Sequence, residues 1–294
     1  ANVGEVITLS SYSVVFDGDS KATSGVTWKN ASGTTITSFK PTAKGVTKLT
    51  AASGSKSKTI YVVAKEASET EYVLFEADFS KYSSISALES EGWKFLGSSS
   101  QYSLSGGNLV IGDIGNDYVR AILPAWLGDF GDYAISTDAK MLTTKDNGRW
   151  LGIVYRIQNA NNAYYPYYHM CLRENTTGSS GIEFAERTAG NGWNVVLKAS
   201  GDITSLKNAY NFTVNVYGNT ISYNINNSQV MFVTEDYFGK SVTNVSAAEY
   251  QKGMLGLTMN YGTVAFKNIK VTVQENAPVK AARKLDLINN ARED

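Results

Sequence analysis

Apolar and polar residues alternate in short runs along most of this chain, and a helical period does not emerge before the C-terminal tail. A period of two places successive side chains on opposite faces, so each run predicts a half-buried strand. Six such runs fall within residues 5–65: VITL (6–9), SVVF (13–16), GVTW (25–28), TTITSF (34–39), GVTKLTA (45–51) and KTIYVVA (58–64). Gly, Ser, Asp and Asn separate them, which predicts a small sandwich. The stretch KEASETEY (65–72) is polar and aperiodic and reads as a linker. A second, larger β unit opens at YVLFEADFS (72–80) and closes at VAFKNIKVTV (264–273). Between them strands are expected near 93–97, 101–105, 108–112, 118–123, 132–141, 149–157, 163–173, 180–187, 193–198, 210–217, 220–225, 229–233 and 253–260. Gly106-Gly107, Gly218-Asn219 and Asn226-Asn227 suit tight hairpins. So many short strands in one span predict a two-sheet jelly roll. Residues 236–251 read as a loop or a short helical turn, and 276–294 as a linker or tail.

Alternation also sorts the residues of RWLGIVYRIQNANNAYYPYYHMCLR (149–173). Leu151, Ile153, Tyr155 and Ile157 share one apolar face, continued by Tyr164, Pro166, Tyr168, Met170 and Leu172 and then by Ile182 and Phe184. The opposite face collects Trp150, Arg156, Tyr165, Tyr167, His169, Arg173, Glu183 and Arg187, with Lys198 on the strand after. Sequential strands commonly lie side by side, so these residues are expected to form one patch outside the core. Aromatic rings stack on the apolar face of a sugar, and charged planar groups bond its hydroxyls, so the patch is a candidate ligand face. An interleaved aromatic and polar face is equally what a solvated antiparallel sheet presents to water.

Composition narrows the alternatives. Formal net charge is zero and charged residues make up 18% of the chain, which argues against a nucleic-acid partner. No stretch is long and apolar enough to suggest membrane insertion. The single cysteine, Cys171, excludes an intramolecular disulfide framework. Cys171 and the single His169 lie two apart on one strand face, but no third residue is evident to orient the imidazole, so a thiol enzyme is not expected. One histidine also excludes a His-rich metal site.

Trp28, Gly45, Thr50-Ala51 and Lys58-Thr59-Ile60 stand where bacterial immunoglobulin-like repeats carry their marks, and residues 1–66 resemble such a domain. The resemblance implies a spacer. Phe75, Asp78-Phe79, Gly92-Trp93, Gly107-Asn108-Leu109 and Gly152-Ile153-Val154-Tyr155-Arg156-Ile157-Gln158 lie in the second region. With Asn162-Ala163-Tyr164, Asn191-Gly192-Trp193, Gly253-Met254-Leu255-Gly256-Leu257 and Phe266-Lys267-Asn268-Ile269, they make residues 67–275 similar to concanavalin A-like, laminin-G-like jelly rolls of bacterial sugar-processing proteins. The fold class is therefore read as all-β, a small immunoglobulin-like sandwich followed by a larger two-sheet jelly roll. The second resemblance implies a carbohydrate partner, a secreted or cell-surface bacterial setting, and a structural calcium, for which Glu76, Asp78 and Asn268 are the matching oxygen donors. An acidic edge strand that resists pairing accounts for the same carboxylates.

Hydrolases on this fold commonly carry paired carboxylates on one strand in an E-x-D-x-x-E signature, which this chain lacks. Glu76-Ala-Asp78 continues as Phe79-Ser80-Lys81, and Glu183 and Glu186 fall on opposite faces of a strand. The chain is accordingly expected to be a monomeric, non-catalytic carbohydrate-binding or adhesion module, one form of which is the accessory region of a larger glycan-acting or other hydrolytic enzyme. A glycoside hydrolase of the same fold and a structural protein-binding module are the alternatives.

Overall fold

The computed structural model describes residues 1–115, 119–161, 166–173, 181–187, 193–199, 205–230, 232–233, 241–242, 245–246 and 250–275. The chain forms two compact units, Ala1–Glu76 with Val271–Val273, and Ala77–Lys270 with Gln274–Asp294.

In the first unit, Thr35–Ile36, Thr27–Lys29, Gly45–Ser53 and Lys56–Ala64 form a four-stranded antiparallel sheet in that order. Ile7–Thr8 pairs separately with Ser38–Phe39. Leu9, Val14, Phe16, Trp28, Leu49 and Ala51 make its core. Two of the expected strands are shorter than the alternation suggested. VITL leaves the strand at Thr8 and turns through a 3-10 segment at Leu9–Ser11, and SVVF keeps a single bridge from Val14 to Thr23. The alternation still marks burial there, because Val14 and Phe16 are buried while Val15 is exposed.

The second unit is built from two antiparallel sheets. One runs Ser228–Gln229, Thr220–Ile225, Tyr210–Tyr217, Tyr133–Thr144, Gly262–Phe266, Asn108–Asp113, Tyr102–Ser105. The other runs Ser241–Val242, Phe232–Val233, Trp193–Ala199, Ile182–Arg187, Tyr167–Arg173, Trp150–Ile157, Met254–Met259, Val119–Ile122, Lys94–Leu96. Tyr155 and Tyr168 stack at 5.9 Å, Tyr168 and Phe184 at 5.8 Å, and Phe184 meets Tyr223 of the facing sheet at 6.4 Å. The Tyr155 and Tyr223 hydroxyls close the gap between the sheets at 2.8 Å. Tyr155, Tyr168 and Phe184 of the apolar face read from the sequence thus lie in the inter-sheet core, whereas Ile157, past a slip of register, packs on the opposite face with Ile122, Val154 and Tyr167, and Tyr164 lies outside the described residues. The second unit is an all-β, two-sheet jelly roll.

A short helix, Ile85–Ser90, was not expected. The side chain of Ser84 caps it by accepting from the Ala87 amide at 3.1 Å, which satisfies one of the donors a helix start leaves open.

Candidate functional site

The strands that carry the opening aromatic stretch fix its second face by register. Trp150 lies opposite Arg173, Gly152 opposite Cys171, and Val154 opposite His169. Cys171 lies in turn opposite Glu183, His169 opposite Ala185, and Tyr167 opposite Arg187. Trp150, Tyr167, His169, Arg173, Glu183 and Arg187 therefore do share one face, as alternation predicts. Tyr165 lies outside the described residues.

The expectation that this face stands outside the core is corrected. Trp150, Tyr167, His169, Glu183 and Arg187 are buried, and Arg173 is half-buried. Alternation tells which residues share a face; it does not tell whether more chain covers that face.

Arg156 is a second correction, because it leaves this face. The pairing between the Trp150–Ile157 and Met254–Met259 strands slips between Val154 and Ile157, so Tyr155 and Arg156 together oppose Leu255. This is a β-bulge, and Arg156 takes a left-handed φ of 52° to make it. Its guanidinium is fully buried and donates to the carbonyls of Tyr250 at 2.8 Å, Gly131 at 3.2 Å and Gly218. It ties strand ends together through those carbonyls.

Two residues missed from the sequence complete the face. Met254–Met259 inserts between the Trp150–Ile157 and Val119–Ile122 strands, so Thr258 and Arg120 stand in register with Gly152. Arg120 is fully buried, and its guanidinium lies 4.0 Å over the Tyr167 ring. The run VRAI shows Arg120 alternating with apolar neighbours. The signal was present, but the rule that sequential strands are neighbours hid it.

Close packing sets the rest. A Cβ at Gly152 would collide with the Met170 carbonyl oxygen and come within 2.7 Å of the His169 Nε2. Glycine is what lets the imidazole lie there. Trp150 meets that imidazole edge-on at 4.4 Å and Tyr167 meets it at 6.0 Å. Arg173 donates to Glu183 Oε2 at 2.7 Å and to the Gly148 carbonyl at 3.2 Å. Cys171 Sγ sits 3.1 Å from His169 Nδ1.

Burial, and then the charges of Arg120, Arg173 and Arg187, hold the His169 pKa well below its usual 6.5, so the imidazole is neutral. Burial, and then the Glu183 carboxylate, push the Cys171 thiol well up, so it stays a thiol. The pair makes no activated nucleophile. Burial pushes the Tyr167 hydroxyl up to about 12, with Arg120 and Arg187 pulling against it.

The calcium candidates are placed as follows. Glu76 belongs to the first unit and Asp78 and Asn268 to the second. Asp78 Oδ1 accepts from the Ser80 amide at 3.0 Å and hydroxyl at 2.7 Å. Asn268 Oδ1 accepts from the Asp138 amide at 3.0 Å, and its Nδ2 donates to the Asp138 carboxylate at 2.7 Å. Among the described residues, no group of three or more His, Cys, Asp or Glu gathers as a metal site. None of the helices among them is long and apolar enough to cross a membrane.

No family model and no curated protein matches this chain. Solved structures align with it at low identity. A carbohydrate-binding module, CBM66, from Bacillus subtilis aligns with a TM-score of 0.46 and 11% identity, over 62% of this chain and 95% of that one. A laminarinase catalytic domain from Thermotoga maritima aligns with a TM-score of 0.46 and 11% identity, over 71% of this chain and all of that one. A laminarinase from Flavobacterium sp. UMI-01 aligns with a TM-score of 0.46 and 14% identity, over 68% of this chain and 99% of that one. Against the expectation that this chain is not an enzyme stand aligned structures named as glycoside hydrolases, among them a beta-glucanase from Bacillus licheniformis and the two laminarinases. A fold can host several chemistries, and the site has to decide among them.

Proposed function

We propose that the jelly roll is a carbohydrate-active domain that takes a saccharide at the Arg173 end of this face and processes it. One observation carries this reading: aromatic rings, guanidinium groups and a carboxylate stand in register on one face of a sheet, turned away from the inter-sheet core. Trp150, buried but in register with the half-buried Arg173, is the ring at the end of this face that meets solvent. Arg173 and Glu183 form a charge-assisted pair whose remaining donors and acceptors suit hydroxyls. The Arg173 side chain is 25% exposed, so the face meets solvent at this end of its strand.

Hydrolysis of a glycosidic bond uses two carboxyl groups, one as acid and one as base or nucleophile. Glu183 is the carboxylate that the described part of this face supplies. The test is to incubate the purified chain with a polysaccharide panel and measure binding and new reducing ends together. Binding with release of reducing ends supports the reading, whereas failure to bind any member removes it.

The first unit we read as an immunoglobulin-like spacer, supported by Trp28 at the centre of its core and by its antiparallel strands. The setting we read as secreted or cell-surface, on the same carbohydrate reading. A structural calcium with Asp78 and Asn268 of the second unit among its donors is a further reading: a melting temperature lowered by EDTA and restored by added calcium supports it, and an unchanged one removes it.

A further inference from the structure

The end of the face that meets solvent, where Trp150 stands in register with Arg173, is bordered by a residue in an unusual backbone state. Asn260 and Tyr261 carry the chain from Met254–Met259 in one sheet to Gly262–Phe266 in the other. Tyr261 makes that crossing at a left-handed φ of 47°. Both sides of the crossing are pinned. The Asn260 amide donates to the Trp150 carbonyl at 3.0 Å, and the Lys145 amide donates to the Tyr261 carbonyl at 2.9 Å. Glycine or asparagine takes such a φ at little cost, whereas a tyrosine is strained there. The crossing therefore accounts for a left-handed residue at 261 and not for an aromatic one.

The ring is half-buried, so part of it meets solvent, and its surroundings are held in place. The Arg149 guanidinium lies 5.0 Å from the ring centre, and the ammonium of the exposed Lys145 lies 4.8 Å from it. Asp146 accepts from Arg149 Nε with both carboxylate oxygens, at 3.0 and 3.1 Å, and Arg149 also donates to Asn260 Oδ1 at 3.3 Å. The neighbouring Gly148 carbonyl accepts from Arg173 at 3.2 Å, which joins this loop to the face. A partly exposed ring with N–H donors close by thus continues the face past the buried Trp150. That is the pairing a pyranose uses, a flat apolar surface for its C–H face and charged donors for its hydroxyls.

We propose that Tyr261 is the ring on which the saccharide packs at the Arg173 end, with Lys145 and Arg149 as donors to its hydroxyls. The backbone strain at Tyr261 is the cost of that contact. The inference rests on the carbohydrate reading above and names the contact residue of that end.

The experiment measures two quantities on the full chain, affinity for a panel of soluble β-glucan, xylan, mannan and pectin, and melting temperature. Tyr261→Asn relieves the strain, so its melting temperature is expected to equal or exceed that of the native chain. Its affinity for the polymer that the native chain binds best is expected to fall roughly tenfold or more. Tyr261→Gly is expected to lose the same affinity and gives a second variant should the first not fold. Tyr261→Phe keeps the ring, and its affinity is expected to stay within about threefold of native. Native affinity in Tyr261→Asn or Tyr261→Gly overturns the inference and leaves the carbohydrate reading standing. Melting temperatures many degrees lower in both variants overturn it as well, because the ring would then serve packing. A tenfold loss in Tyr261→Phe overturns the stacking role. Binding of no polymer by the native chain overturns both readings.

Discussion

At the scale of single residues, Arg156 is where sequence and structure part most clearly. Its place in the alternation assigns it to the aromatic face, and its buried donors serve three carbonyls instead. Arg156→Ala would leave those carbonyls dry and open a cavity. A loss of about 2–4 kcal/mol in urea unfolding is expected, and a loss below about 0.5 kcal/mol would contradict the clamp. His169 makes a pH prediction. Above its usual 6.5 the imidazole is neutral in both folded and unfolded chains, and stability does not depend on it. Below 6.5 the unfolded chain takes up a proton that the buried, arginine-flanked site refuses, so stability falls as pH falls, by up to about 1.4 kcal/mol per unit. The chain has one histidine, so attribution is direct. Urea unfolding at about pH 7.5 and about pH 5.5 should show the drop for the native chain and a smaller one for His169→Gln.

At the scale of elements, most strands were legible because alternation survives wherever one face of a strand is apolar. Tyr210–Tyr217 alternates buried and half-buried residues along its whole length. Trp150–Ile157 is buried at every position, yet its two faces still differ in chemistry. What alternation cannot carry is a slip of register. The bulge at Tyr155–Arg156 reverses the direction of Arg156 without any mark in the local sequence beyond Gly253 across the pairing, at a φ of 147°. Turn chemistry, by contrast, was readable. Asn226 and Asn227 join Thr220–Ile225 to Ser228–Gln229, with φ of 48° and 65°. Both therefore occupy the left-handed region that Asn and Gly tolerate best. Asn227→Val is expected to cost about 1–2 kcal/mol and Asn227→Gly close to nothing, compared by thermal unfolding. Equal costs would show that the turn had another geometry.

At the scale of the whole jelly roll, the fold rests on two sheets facing each other across an aromatic layer. The Tyr155–Tyr223 hydroxyl pair is one of its links, and Tyr223 also donates to the His169 carbonyl at 3.2 Å. A double-mutant cycle with Tyr155→Phe and Tyr223→Phe should return a coupling of about 0.5–1.5 kcal/mol, and additivity would mean the sheets are joined by packing alone. By itself the sequence determined the β class, the inter-sheet core and the company that Trp150, Tyr167, His169, Arg173, Glu183 and Arg187 keep, because a period of two is a local property of the chain. Tertiary structure decided three things that no local period encodes. Long-range pairing brought Arg120 and Thr258 onto that face through a strand more than a hundred residues downstream of Arg120. A bulge sent Arg156 away from it. Burial turned an expected wet surface into a desolvated cluster of arginines around a neutral histidine, since coverage of a face depends on chain distant in sequence.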